Sequence, residues 1–174
     1  MINKLMKLSL TGMMGAGKTS IGKILAEKIH IPFYDSDQLI VDKLDLEIVD
    51  IFRNHGEDYF RNQEEEVCNN ILKKETFVLA LGGGGILNKR IREAINNETI
   101  SIYLKTDQNI LFERLKNDKS RPLIQGSDLK KKINDIISER EKFYLKSNIV
   151  VDNNINDIEL ITEKIISLIK NYNS

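Results

Sequence analysis

The sequence predicts an α/β fold in which a parallel sheet carries helices on both faces. Three observations lead there. Short apolar runs alternate with helically spaced apolar patterns along the whole chain. The run Phe77–Leu81 (FVLAL) is continuously apolar, as a strand covered on both faces requires. A glycine-rich stretch joins the first apolar run to the first helical pattern, the place where such folds hold ligands.

The elements follow in order. Residues 7–11 (KLSLT) read as a short buried strand entering the glycine loop. Residues 18–29 place Ile21, Ile24, Leu25 and Ile29 at helical spacing. Residues 31–34 form a second strand ending at Asp35, and residues 38–74 read as helix in pieces, broken near His55-Gly56. After the strand at 77–81, Asn88 is a candidate N-cap for a helix over 89–95. Residues 99–104 form a strand and 107–116 a helix. Residues 117–127 are polar, hold Pro122 and Gly126, and read as a mobile loop. A helix over 129–144, a strand over 149–151 and an amphipathic helix over 158–169 complete the chain. The glycine loop, Asp35 and Gly82 all fall at carboxyl ends of strands, so three segments converge on one mouth.

Composition narrows the function. With 174 residues and 41% hydrophobic content, one domain over 1–174 is expected. Lys+Arg and Asp+Glu are both 26, so no basic surplus points to nucleic acid, and an anionic ligand must be met by individual arginines. The single Cys68 rules out an intrachain disulfide and a cysteine zinc cluster; it reads as small apolar filler on a helix. No run of about 20 apolar residues marks a membrane helix. The short stretch before Gly12 reads as the first strand and leaves no room for a leader, so a cytoplasmic home is expected, and a monomer is compatible with this size and charge.

Residues 12–19, GMMGAGKT, match G-x-x-x-x-G-K-[ST] between a strand and a helix. Gly12, Gly15 and Gly17 permit backbone shapes that turn successive N–H groups toward one anion, and the helix beginning near Lys18 adds its positive end. Gly12, Gly15, Ala16, Gly17, Lys18, Thr19 and Ser20 are therefore the candidate nucleotide-binding set, with Lys18 reaching the β and γ phosphates and Thr19 ligating Mg²⁺. A switch GTPase is disfavoured, because Asn117-Asp118-Lys119 has the wrong order for a guanine-reading Asn-Lys-x-Asp. A motor or transporter ATPase is disfavoured too, because the strand at 77–81 runs into four glycines instead of a carboxylate. Asp35 is then the candidate acidic metal partner. In an extended segment Asp35 and Asp37 face the same side, so one can serve the Mg²⁺ shell while the other accepts a hydroxyl proton. The alternative is that Asp35-Ser36-Asp37 only caps the next helix.

With these residues in view the chain resembles the shikimate kinase family of the nucleoside-monophosphate-kinase-like group. GMMGAGKTSIGK, FYDSD, Phe60-Arg61-x-x-Glu64, LGGGG, Arg121-Pro122-Leu123 and Arg140-x-x-x-Tyr144 occur in the family order. The resemblance implies a P-loop three-layer α/β/α fold with a five-stranded parallel sheet, a helical substrate-binding segment at about 36–63 and a lid at about 117–127. It implies transfer of the ATP γ-phosphoryl to the 3-hydroxyl of shikimate, with Mg²⁺, in aromatic amino-acid synthesis. It assigns Asp35 to Mg²⁺ through water, Asp37 to the ring hydroxyls and as candidate base, Arg61 and Arg140 to the shikimate carboxylate, and the Gly83 N–H to the substrate. Arg121 would close from the lid onto the phosphates, and Arg114 would lie against adenine. Past Val151 the proline common in the adenine-contacting loop is missing, and no base contact is assigned there.

The chemistry of the acceptor agrees with this set. Two guanidinium forks suit the carboxylate at one end of the shikimate ring, and a carboxylate acceptor belongs across the ring at the attacking hydroxyl. Glycines 82, 83 and 84 allow substrate and γ-phosphate to approach the backbone closely. Other readings stay open: Arg61 as a surface arginine paired with Glu64 or Glu65, Arg140 on a solvated helix face, and Arg114 as an ordinary helical arginine. Gluconate, another acidic polyol, is the competing acceptor, and a nucleotide-binding module without turnover is the remaining class.

Overall fold

A computed structural model describes residues 6–172, apart from residues 125 and 127. Five parallel strands form one sheet: β1 (Lys7–Thr11), β2 (Phe33–Asp35), β3 (Phe77–Ala80), β4 (Ile100–Lys105) and β5 (Ile149–Asp152), in the order β2-β3-β1-β4-β5. Leu10 pairs with Ala80 on one side and Ile102 on the other, so the loop leaving β1 opens at the middle of the sheet. The interior strands are buried throughout their centres, whereas the edge strand β5 alternates, with Ile149 and Val151 inward and Val150 and Asp152 outward.

Among the described residues eight helices flank the sheet: α1 (Lys18–Ile29), α2 (Ser36–Leu44), α3 (Ile48–His55), α4 (Glu57–Leu72), α5 (Lys89–Glu98), α6 (Gln108–Leu115), α7 (Leu129–Tyr144) and α8 (Ile158–Tyr172). Alternation along β3 divides the core between them. Val78 packs with Ile21 and Leu25 of α1 and with α8, while Phe77 and Leu79 pack with Phe60, Val67 and Ile71 of α4. Each such isoleucine or leucine contributes about 1.5–3 kcal/mol on burial, so the sheet is clamped from both faces. Cys68 is fully buried against Leu81, Ile91 and Ile95, and burial pushes its thiol well above the usual range.

The predicted bounds of β1, α1 and α7 coincide with those observed. The region after β2 differs. Helix begins at Ser36, because the Asp35 side chain accepts hydrogen bonds from the N–H groups of Asp37 (3.0 Å) and Gln38 (3.2 Å). Asp37 therefore lies in the first turn of a helix, and the extended-strand argument for pairing it with Asp35 does not hold. Capping is the work of Asp35 itself. The predicted break falls at Gly56, whose φ of 83° separates α3 from α4, and a further break at Asp45 (φ 52°) ends α2. Within the predicted loop at 117–127, Pro122–Ile124 form a single 3₁₀ turn with Ile124 buried, so this part is anchored on the core; residues 125 and 127 of the expected lid lie outside the described residues.

Candidate active site

The loop between β1 and α1 is shaped for an anion. Gly15 and Gly17 take φ values of 78° and 83°, conformations that other residues adopt only with strain. Gly17 is the N-cap of α1, whose first N–H groups have no partner within the helix. Lys18 is buried, and its ammonium donates to the carbonyls of Gly12 (2.8 Å) and Met13 (2.9 Å). Burial lowers its pKa to about 8, against the opposing pull of Asp37 and Asp35. Thr19 donates its hydroxyl to Asp35 Oδ2 at 2.5 Å, while Asp35 Oδ1 caps α2. One carboxylate thus locks the end of β2 to the start of α1. A cavity of about 230 Å³ extends from Gly15, Gly17, Lys18, Thr19 and Ser20 past Asp35 and Asp37 to Gly82, Gly83, Arg114 and Arg121. Ala16 is fully buried and serves as backbone beneath this space. Arg114 is exposed and donates to the Gly15 carbonyl at 3.0 Å.

Next to this cavity, and sharing Met14, Asp37, Gly83 and Arg121 with it, lies a narrower space bounded also by Phe52, Phe60, Arg61, Gly84 and Arg140. Arg61 is held from two sides. Glu57 accepts from its Nε (3.2 Å) and Nη2 (2.9 Å), and Glu64 from its Nη1 (2.8 Å). Of five guanidinium N–H groups, these contacts leave one on each terminal nitrogen without a hydrogen bond among the described residues, and these can still meet an anion. The ion-pair reading of Arg61 and its place in the cavity are therefore compatible; Glu65 instead meets Asn88 and Arg90. Glu64 is fully buried, and burial raises its pKa to about 7 although Arg61 opposes the shift.

Arg140 is not on a solvated helix face. It is 2% exposed, and its Nε and Nη1 have no acceptor among the described residues. A buried guanidinium in this condition is costly unless an anion meets it. Sequence periodicity missed this, because flanking Glu139, Glu141 and Lys142 mask the inward direction of one position. Asp37 faces the same space and pairs through Oδ2 with Arg121 Nη1 at 2.8 Å.

The glycine run does three different things. The Gly82 N–H is spent on the buried Ser36 hydroxyl (2.8 Å), a contact that sequence did not suggest, so Gly82 contributes space rather than a donor. A Cβ there would collide with Asp37 and Glu64, and one at Gly84 with the Arg61 guanidinium. Gly83 is the half-buried member that faces the cavity, and its carbonyl accepts from the Tyr144 hydroxyl. Tyr144 stacks on Tyr103 at 5.1 Å between ring centroids.

A parallel sheet with the G-x-x-x-x-G-K-T loop at its central strand, a threonine–aspartate pair at the loop's foot and arginines facing the mouth defines a P-loop phosphotransferase. The family model for shikimate kinase matches residues 14–170. The chain belongs to the shikimate kinase family, whose members are ATP-dependent kinases. It is 38% identical to a shikimate kinase of Bartonella quintana, over 95% of this chain and 79% of that one. It is 41% identical to a shikimate kinase of Legionella pneumophila, over 82% of each. Among solved structures, shikimate kinase from Acinetobacter baumannii in complex with shikimate superposes with a TM-score of 0.94 at 34% identity, covering 97% of this chain and 95% of that one.

Proposed function

We propose that the chain transfers the γ-phosphoryl group of ATP to the 3-hydroxyl of shikimate, giving shikimate 3-phosphate and ADP. One observation carries the acceptor class: two guanidiniums, Arg61 with one N–H left on each terminal nitrogen and Arg140 buried with its Nε and Nη1 unpaired among the described residues, share a space with Asp37 beside the phosphate loop. An acidic polyol satisfies both ends of that space, and family membership favours shikimate over gluconate.

In this reading Gly12 through Ser20 hold the triphosphate, Lys18 neutralises charge on the transferring group, and Arg114 borders the nucleotide side. The substrate carboxylate lies on Arg61 and Arg140, and the Gly83 N–H and Asp37 hold the ring hydroxyls. The hydroxyl oxygen bonds to the γ-phosphorus as the bond to the β,γ-bridging oxygen breaks and ADP leaves. Asp37 is placed to accept the hydroxyl proton. Thr19 and Asp35 offer the hard oxygen ligands that Mg²⁺ takes, at the foot of the phosphate loop, and they fit the ion that such kinases use. When bound, the ion supplies further charge neutralisation on the phosphates.

The acceptor-side space measures about 40 Å³, far below the about 300 Å³ of small ordinary ligand pockets, because Arg121, Pro122 and Leu123 lie against it. Acceptor entry therefore moves the lid, and closure over both substrates keeps water from the phosphoryl group. We read the chain as one kinase domain, with substrate segment 36–63 and lid 117–127. Among the described residues no helix is long and apolar enough to cross a membrane, in keeping with a cytoplasmic enzyme.

The test is ADP release from ATP in a coupled assay across shikimate, gluconate and nucleoside monophosphates. Turnover dependent on shikimate alone is expected. Turnover with gluconate instead, or nucleotide binding without turnover on any acceptor, would overturn the reading.

A further inference from the structure

Asn153 stands one residue past β5 and is 2% exposed. Its side-chain Nδ2 donates to the Ala16 carbonyl at 2.6 Å and to Thr106 Oγ1 at 3.1 Å. Its backbone N–H donates to the Lys105 carbonyl at 2.8 Å. Both hydrogens of the amide are thus committed, one to the phosphate loop and one to the corner between β4 and α6. The family resemblance gave this residue no role.

The peptide group between Ala16 and Gly17 is planar and trans, so its carbonyl and N–H point in opposite directions. A donor that holds the Ala16 carbonyl on the buried side turns the Gly17 N–H to the other side, where Gly17 lines the cavity with Lys18 and Thr19. Among the described residues that N–H has no protein acceptor. Other carbonyls of the loop are held as well: Gly15 by Arg114, Gly12 and Met13 by Lys18. Of these donors, only the Asn153 amide is fixed from an element outside the cavity lining and buried out of reach of solvent.

We propose that Asn153 is a positioning residue for nucleotide binding: its buried amide holds the Ala16 carbonyl and thereby keeps the Gly17 N–H aimed into the phosphate cradle. The loop after the last strand thus sets affinity for a nucleoside di- or triphosphate without touching it. This rests on reading residues 12–19 as that cradle.

The experiment uses the full chain, ADP as the calorimetric probe, and three variants. Asn153→Ala removes both bonds. Asn153→Asp keeps the volume, removes both donors and sets a carboxylate against the carbonyl, and it serves if the alanine chain does not fold. Thr106→Val removes only the other partner of the amide and controls for lost packing. The expected result is an ADP Kd raised about tenfold in Asn153→Ala and more in Asn153→Asp. The KM for ATP should follow, with kcat at saturating ATP within about threefold and shikimate affinity unchanged. Thr106→Val should bind ADP like the wild type, even where its melting temperature falls as far. In the nucleotide-free chain the Gly17 amide resonance should move in both Asn153 variants and stay in place in Thr106→Val. The proposal fails if the Asn153 variants bind ADP like the wild type, or if Thr106→Val weakens ADP equally, which would assign the effect to packing. A wild-type chain that binds no ADP would be a different failure, that of the cradle, and would remove the ground for both.

Discussion

Arg121 Nη1 and Asp37 Oδ2 lie 2.8 Å apart, which ties the expected lid to the residue proposed to receive the acceptor's hydroxyl. The pair is partly exposed, so its own contribution to stability is small, about 0–1 kcal/mol. In the proposed function its meaning is competitive: a hydroxyl that engages Asp37 would do so as Arg121 shifts toward the phosphates. Arg121→Ala should lower kcat about 10²–10³-fold through lost charge stabilisation at the transferring group. Shikimate affinity should not weaken, since a rival for Asp37 is gone. Steady-state kinetics with calorimetric titration of shikimate checks both halves, and a variant that loses shikimate binding with kcat intact would contradict the assignment.

Arg61→Ala should act on the other substrate property. A hydrogen-bonded charge contact is worth about 1.5–3 kcal/mol, so the shikimate Kd should rise about 10–150-fold while ADP binding is spared. Equal losses of both ligands would mean that Arg61 supports the fold through Glu57 and Glu64 and does not hold the acceptor.

Glu64 gives the chain a pH signature. Its native pKa is raised to about 7 from an ordinary 4.5, so between those values the folded state binds more protons than the unfolded one. Its contribution to stability is complete below about pH 4.5 and is lost as pH rises through about 7. Glu64→Gln should remove this component, and the difference in melting temperature between wild type and variant should shift across that window in favour of the variant. A difference independent of pH from 4.5 to 7.5 would show that Glu64 titrates in the ordinary range.

Gly84→Ala places a methyl group on the Arg61 guanidinium. Arg61 is braced by two glutamates and cannot withdraw freely, so overpacking of about 1–3 kcal/mol is expected. The readout is a lowered melting temperature together with a shikimate KM raised more than that for ATP. Gly56→Ala, where nothing lies within 4 Å of the added methyl, is the control: its positive φ brings backbone strain but no collision at the site.

The parts of the site that lie within one stretch of chain were the legible ones. The phosphate loop is contiguous, and the spacing of its glycines, lysine and threonine states its geometry directly. The bounds of β1, α1 and α7 were readable because apolar periodicity and punctuation agreed there. Asp37 was placed on an extended segment because side-chain capping by Asp35, a contact two and three residues long, outcompetes strand continuation and leaves no periodic trace. Arg140 was ambiguous for a related reason: whether one arginine among charged neighbours points inward depends on where α7 sits against the glycine run, which is tertiary information. Ser36 on Gly82 and Asn153 on Ala16 belong to this class of long-range polar contact.

The Tyr144 hydroxyl bound to the Gly83 carbonyl joins the end of α7 to the exit of β3. Arg61 comes from α4 and Arg140 from α7, so the two guanidiniums come to line one space only once helices from distant parts of the chain have docked on the glycine run. The amides of the proposed phosphate cradle lie in one contiguous stretch of chain and are adjusted by single outside contacts such as that of Asn153, whereas on this reading selection of the acceptor is a product of completed tertiary assembly. Mild loosening of α7, by heat or denaturant, should therefore blunt discrimination among acceptors before it abolishes nucleotide capture, making substrate choice a more sensitive gauge of native packing than ATP binding.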